Sequence, residues 1–166
     1  MNLRDTILEK HSKDQMLRIV AYVGNDKRKF DELMQLFFED EYRVSQRASW
    51  AVSHCIQKNP LFAKKYLPLM LDNLKNPVHD AVVRNTIRIL QLVEIPANLH
   101  AQVMDICYQL VSTHTTPVAI KAFSITVLSN LSQIYPELKN ELKTLMEDQL
   151  PTASPAIISR AKRIKQ

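Results

Sequence analysis

Glycine is almost missing from this chain: Gly24 is the only one in 166 residues. Phosphate-cradling loops such as G-x-x-x-x-G-K-[ST] and G-x-G-x-x-G need several glycines and cannot be written here. Tight primed turns want residues with φ > 0, so a sheet of β-hairpins is also excluded. Cysteine is scarce. Cys55 and Cys107 have no C-x-x-C spacing, and both sit in apolar helical patterns, which reads as buried reduced thiols in a cytosolic protein. No run approaches the ~18 apolar residues of a membrane span. The opening Met1-Asn2-Leu3-Arg4-Asp5-Thr6 begins no apolar h-region, so no signal peptide is expected.

Acid is missing from one end and charge from the middle. The chain carries 22 basic and 17 acidic residues, a net charge of +5. No acid follows Asp148, whereas Arg160, Lys162, Arg163 and Lys165 all do. Taking those four from 22 leaves 18 basic against 17 acidic residues in 1–152, a net of +1. The high pI of 9.2 is therefore a property of the tail, not of the body. Residues 76–135 hold only Asp80, Arg84, Arg88, Glu94, Asp105 and Lys121 as charges, which marks buried or contact surface.

What is abundant favours helices: Leu, Ala, Lys, Gln, Glu and Ile. Ser12 with Gln15 forms a capping-box pattern. The helix after it carries Met16, Leu17, Ile19, Val20 and Val23 and ends at Gly24-Asn25. Asp26 can cap the next helix, with Phe30, Leu33, Met34, Phe37 and Phe38 on its apolar side. Val44, Ala48, Ala51, Val52, Cys55 and Ile56 fall on a single helical face, and Asn59-Pro60 stops that helix. Pro77, Pro96, Pro117, Pro136, Pro151 and Pro155 then punctuate apolar-periodic stretches of ordinary helix length. No stretch alternates with period two for long enough to be a strand.

An internal repeat organises these helices. Arg47, Arg84 and Lys121 are each 37 residues apart, and Arg160 follows 39 later. Val44, Ala81 and Val118 are equivalent, as are Ala48, Asn85 and Ala122. Between these first helices lie Leu61–Lys75, Asn98–Ser112 and Glu137–Asp148, each expected as a second amphipathic helix. The unit is a helix pair that cannot bury its apolar face alone, so stacked neighbours complete the core. Approximate repeats are 12–39, 41–75, 78–113 and 117–149, with a terminal half-repeat 154–165, read as one domain over residues 1–166.

The segment Tyr66-Leu67-Pro68-Leu69-Met70-Leu71-Asp72-Asn73-Leu74-Lys75-Asn76-Pro77, followed by Val82-Val83-Arg84, resembles the HEAT-repeat pattern. That pattern closes a second helix with L-P-x-L…L-x-D-P and opens the next repeat with V-R-x-A. Val44 to Arg47-Ala48, Val118 to Lys121-Ala122 and Ile157-Ile158 to Arg160-Ala161 echo the opening. Asn76 stands in place of Asp and Asn85 in place of Ala. The chain thus looks like a short bacterial member of the armadillo-type HEAT-repeat family. The resemblance implies an all-α, right-handed α-α superhelix, first helices on the convex side and second helices on the concave side. It places Pro68 near the start of a second helix.

Candidate interaction residues follow from this layout. The Arg47, Arg84, Lys121 ladder could offer a positive stripe. The favoured reading makes it an inter-repeat device, with Asp80 pairing to Arg84 at i−4. Trp50, the only tryptophan, has Arg43, Arg47, His54 and Gln57 on its side of the helix. That composition suits a binding hot spot, although burial between first helices is favoured. Lys64, Lys65, His100, Asp105 and Tyr108 are the candidates on second helices, and Arg160 and Arg163 those on the terminal helix. None of His11, His54, His79, His100 and His114 makes H-x-x-x-H with another, so no metal site is expected. No catalytic or cofactor residue is assigned.

The function expected is a non-catalytic, cytoplasmic scaffold holding a protein partner on its concave face. The alternative is nucleic-acid binding, weak and non-specific through the basic C-terminal segment, with a kinship to bacterial alkylpurine DNA glycosylases that are also built from HEAT-like repeats. Adenylosuccinate lyase activity, a label that chains of this look can carry, is argued against by the single glycine. A homo-oligomer is a third reading, since open-ended solenoids need polar caps or a partner at their ends.

Overall fold

The computed structural model describes residues 1–164, so Lys165, the last residue of the terminal half-repeat, and Gln166 lie outside the described residues. Among the described residues there are ten α-helices, three 3₁₀ turns and no strand, the all-α fold expected. The chain folds as two compact units, Met1–Val93 and Glu94–Gln166.

The first unit holds α1 (Leu3–Glu9), α2 (Lys13–Val23), α3 (Lys27–Phe37), α4 (Tyr42–Lys58), a 3₁₀ turn Pro60–Ala63, α5 (Leu67–Asn73) and α6 (Asp80–Leu90). Its punctuation follows the side chains. Ser12 accepts from the Gln15 N–H to start α2, and Asp26 accepts from the N–H groups of Arg28 and Lys29 to start α3. Gly24 closes α2 at φ 52°, its N–H on the Val20 carbonyl, a conformation that L side chains rarely adopt. The capping box is only half made. The Gln15 amide donates to the Thr6 carbonyl and to Glu9 instead of returning to Ser12.

That diversion is tied to α1, which the repeat pattern did not include. Asn2 caps α1 by accepting from the Asp5 N–H, and Leu3 and Ile7 are fully buried. Arg4 pairs with Glu39 at 3.4 Å and Glu41 at 2.5 Å, fastening α1 to the connection between α3 and α4.

Helix α4 is the hub of this unit, packing against α1, α2, α3, α6 and the 60–63 turn. Val44, Ala48, Ala51, Val52, Cys55 and Ile56 are all buried, as the periodicity requires. Ser45, Ser49 and Ser53 are buried too, so the helix is enclosed on more than the one expected face. Small side chains let neighbours approach from several directions. The buried hydroxyls of Ser49 and Ser53 donate back to the Gln46 and Trp50 carbonyls, which avoids orphaned polar groups.

Two further expectations change. Leu61–Lys75 is not one helix: the Pro60–Ala63 turn and residues 64–66 precede a seven-residue α5, with Pro68 in its first turn as expected. Asp80 and Arg84 form no ion pair among the described residues, and Arg84 is exposed.

The second unit holds a 3₁₀ turn Ala97–Leu99, α7 (His100–Ser112), α8 (Val118–Leu131), α9 (Leu138–Gln149), a 3₁₀ turn Leu150–Thr152 and α10 (Pro155–Ile164). Here α8 is the hub, against α7, α9 and α10. Pro117 caps α8 and Pro155 opens α10, positions where a missing N–H costs nothing. Both free thiols, Cys55 and Cys107, are buried, and burial pushes each up to about 12.

Candidate functional site

The first unit opens a cleft of about 340 Å³ between α3 and the segment 60–66. Its floor is aromatic: Phe30 and Phe62 stack at 4.4 Å between centroids and 12° between planes, and Tyr66 meets Phe30 edge-on at 5.9 Å. Phe30 and Phe62 are only 1% and 6% exposed, so their rings are spent on each other. Leu61 stands at the rim, 80% exposed.

The rim is basic. Lys27, Lys64 and Lys65 line the cleft with one acid, Asp31. Lys65 donates to Asp31 Oδ2 at 3.1 Å, and the Tyr66 hydroxyl donates to Asp31 Oδ1. The Tyr66 hydroxyl, then Lys65, hold the Asp31 carboxyl below its usual range, and Lys27 adds to the effect. Burial, then the bond to Asp31, pushes the Tyr66 phenol up. An ionised carboxylate with both oxygens engaged is poorly placed to take or give a proton. Lys27 and Lys64 are the two cations left over, both exposed.

Of the expected interaction residues, the cleft brings together only Lys64 and Lys65. The partners that complete the cleft, Lys27, Asp31, Leu61 and Tyr66, were not among them. A signal existed: Tyr66 lies 35 residues from Asp31, about one repeat length.

Trp50 is half-buried, not packed away as favoured. It stands edge-on to His11 at 5.6 Å and His54 at 6.3 Å. His54 Nδ1 faces the Trp50 carbonyl at 3.0 Å. Burial, helped by Arg88, Lys13 and Lys58, lowers the His54 pKa, and the Trp50 carbonyl opposes that. Arg43 is exposed, its Nε donating to the Tyr42 hydroxyl at 3.0 Å.

His100 is a buried structural residue rather than a surface contact. Its Nε2 donates to the Ile95 carbonyl at 2.7 Å, and its Nδ1 meets the Tyr135 hydroxyl at 2.9 Å. Asp105 is exposed on α7, as is Tyr108 at 44%. Arg160 is half-buried, bonded to Thr126 and placed 5.5 Å over the Phe123 ring, while Arg163 is exposed.

The 37-residue ladder does structural work at most of its rungs. Arg47 donates to the Ile7 and Leu8 carbonyls at 3.0 and 2.9 Å, and Lys121, buried, donates to Gln149 at 3.1 Å. No group of three His, Cys, Asp or Glu side chains among the described residues could hold a metal ion. No helix among them is long and apolar enough to cross a membrane.

A family model described as a HEAT repeat domain matches residues 3–166. No curated protein and no solved structure matches the chain.

Proposed function

This chain belongs to the HEAT-repeat family, and from that membership we propose a non-catalytic scaffold that holds a protein partner on the concave, second-helix side of its repeats. The observation that carries the reading is the cleft between α3 and residues 60–66, where an 80% exposed leucine stands among lysines over an aromatic floor. An apolar centre within a polar rim is the ordinary anatomy of a protein interface. Asp31, the cleft's one acid, is bound on both oxygens, which supports a binding role over proton transfer. Two buried thiols without a disulfide fit a cytoplasmic home.

The test is capture from a lysate of the source cells on immobilised full-length chain, in parallel with Leu61→Asp and Lys64→Glu. Both positions are exposed, so the fold is spared. A protein retained by the native chain and lost from both variants is the expected outcome. Equal capture by all three places the partner elsewhere and sinks the cleft reading. A second reading, weak nucleic-acid binding, is favoured by one observation: α10 exposes Lys162 and Arg163 in a segment without acids.

A further inference from the structure

We propose that the cleft of the first unit takes a short peptide segment in which a bulky aliphatic side chain is flanked by carboxylates. This rests on the scaffold reading and gives its partner a chemistry. Three features of the cleft carry it.

The first is charge. Three lysines face one acid, and that acid is already paired with Lys65 and bonded by the Tyr66 hydroxyl. Lys27 and Lys64 therefore remain to be matched, one on each flank: Lys27 opens α3, and Lys64 follows the Pro60–Ala63 turn. An occupant with a carboxylate on either side of its centre complements both.

The second is the apolar contact between them. Leu61 is 80% exposed at the mouth, and the volume of about 340 Å³ is of the order that one large side chain and its neighbours occupy. Leu69 of α5 is exposed as well, on the same second-helix segment.

The third separates a peptide from a nucleic acid. Single strands bind through aromatic faces on which bases stack. Here Phe30 and Phe62 stack on each other beneath the surface, and Tyr66 is buried with its hydroxyl fixed on Asp31. The exposed apolar group is aliphatic and has no π face.

The experiment is fluorescence anisotropy with the full-length protein and labelled peptides of about ten residues, the scale of linear motifs. One has a central leucine flanked by glutamates. In three others the flanks are serines, the flanks are lysines, or the leucine is alanine. Saturable binding of the first is expected, weaker by about tenfold or more for each of the others. Leu61→Asp, and Lys27→Ala with Lys64→Ala, should each cost a similar factor at unchanged helical content by circular dichroism. Salt should weaken the native complex and hardly affect what remains in the lysine variant.

Equal binding of the serine-flanked peptide, indifference to Leu61→Asp, or no saturable binding would overturn the proposal. So would a single-stranded oligonucleotide that displaces the peptide and fails on the same variants. If lysate capture depends on Leu61 yet the acidic peptides do not bind, the scaffold reading stands and this chemistry falls. If they bind while capture ignores the cleft, this chemistry stands and the partner taken from the lysate sits elsewhere on the chain.

Discussion

Asn85 shows how a single departure from a repeat becomes a structural bond. It replaces the alanine found at the equivalent positions 48 and 122, and it is buried. Its Nδ2 donates to Ser49 Oγ at 2.9 Å, while Ser49 Oγ itself donates to the Gln46 carbonyl at 2.8 Å. The pairing of a buried amide was legible from burial logic, but its partner was not. Ser49 is a polar residue in a helix whose periodicity assigned it no core role. Asn85→Leu removes a donor and leaves the serine oxygen less well satisfied, so a loss of about 1–3 kcal/mol is expected. Urea unfolding of Asn85→Leu, Ser49→Ala and the double variant measures it. Because paired deletion leaves no orphan, the double variant should lose less than the sum of the singles.

At the scale of elements, α1 makes the case for context over pattern. Seven residues are too few for a helix to persist alone, and only Leu3, Ile7 and Leu8 give it an apolar side. It exists because Arg47 binds the carbonyls at its end and Arg4 binds Glu39 and Glu41. Nothing local in residues 2–9 announces those partners, which lie about one repeat away. The long amphipathic elements were legible because caps and periodicity agreed in α2 and α3, and periodicity and the Asn59-Pro60 stop agreed in α4. The stretch 61–75 was not, because Pro60 favours a 3₁₀ start and Pro68 restarts the helix at residue 67. The cleft sits in that interrupted stretch, so its geometry was hidden along with the break. Arg47→Ala should strip α1 of its terminal bonds. We expect a stability loss of about 1–3 kcal/mol, as for hydrogen bonds to a charged donor. Amide exchange across residues 3–9 should accelerate more than exchange in α3. Equal acceleration everywhere would mean that Arg47 supports the unit at large and not α1 in particular.

For the molecule as a whole, the basic excess is smaller in effect than in number. Of the four basic residues beyond Asp148, Arg160 is already engaged with Thr126 and Phe123. At most about three remain for phosphates, a salt slope near −2.7 on duplex DNA by the rule of −0.9 per phosphate. Deleting α10 is a poor test, because Ile157, Ala161 and Ile164 are buried. Charge reversal is cleaner: Lys162→Glu with Arg163→Glu should abolish the weak anisotropy signal. Binding that persists with a steeper slope would place the nucleic-acid surface elsewhere.

The long-range side-chain hydrogen bonds described above share one property. They span between 28 residues, for Lys121 to Gln149, and 40, for Arg47 to Ile7. Asn85 to Ser49 spans 36, His100 to Tyr135 spans 35 and Arg160 to Thr126 spans 34. During synthesis, then, no donor waits for the far terminus. Each of these bonds can close once one further helix pair has left the ribosome, so the chain can settle its polar accounts pair by pair while it is still being made.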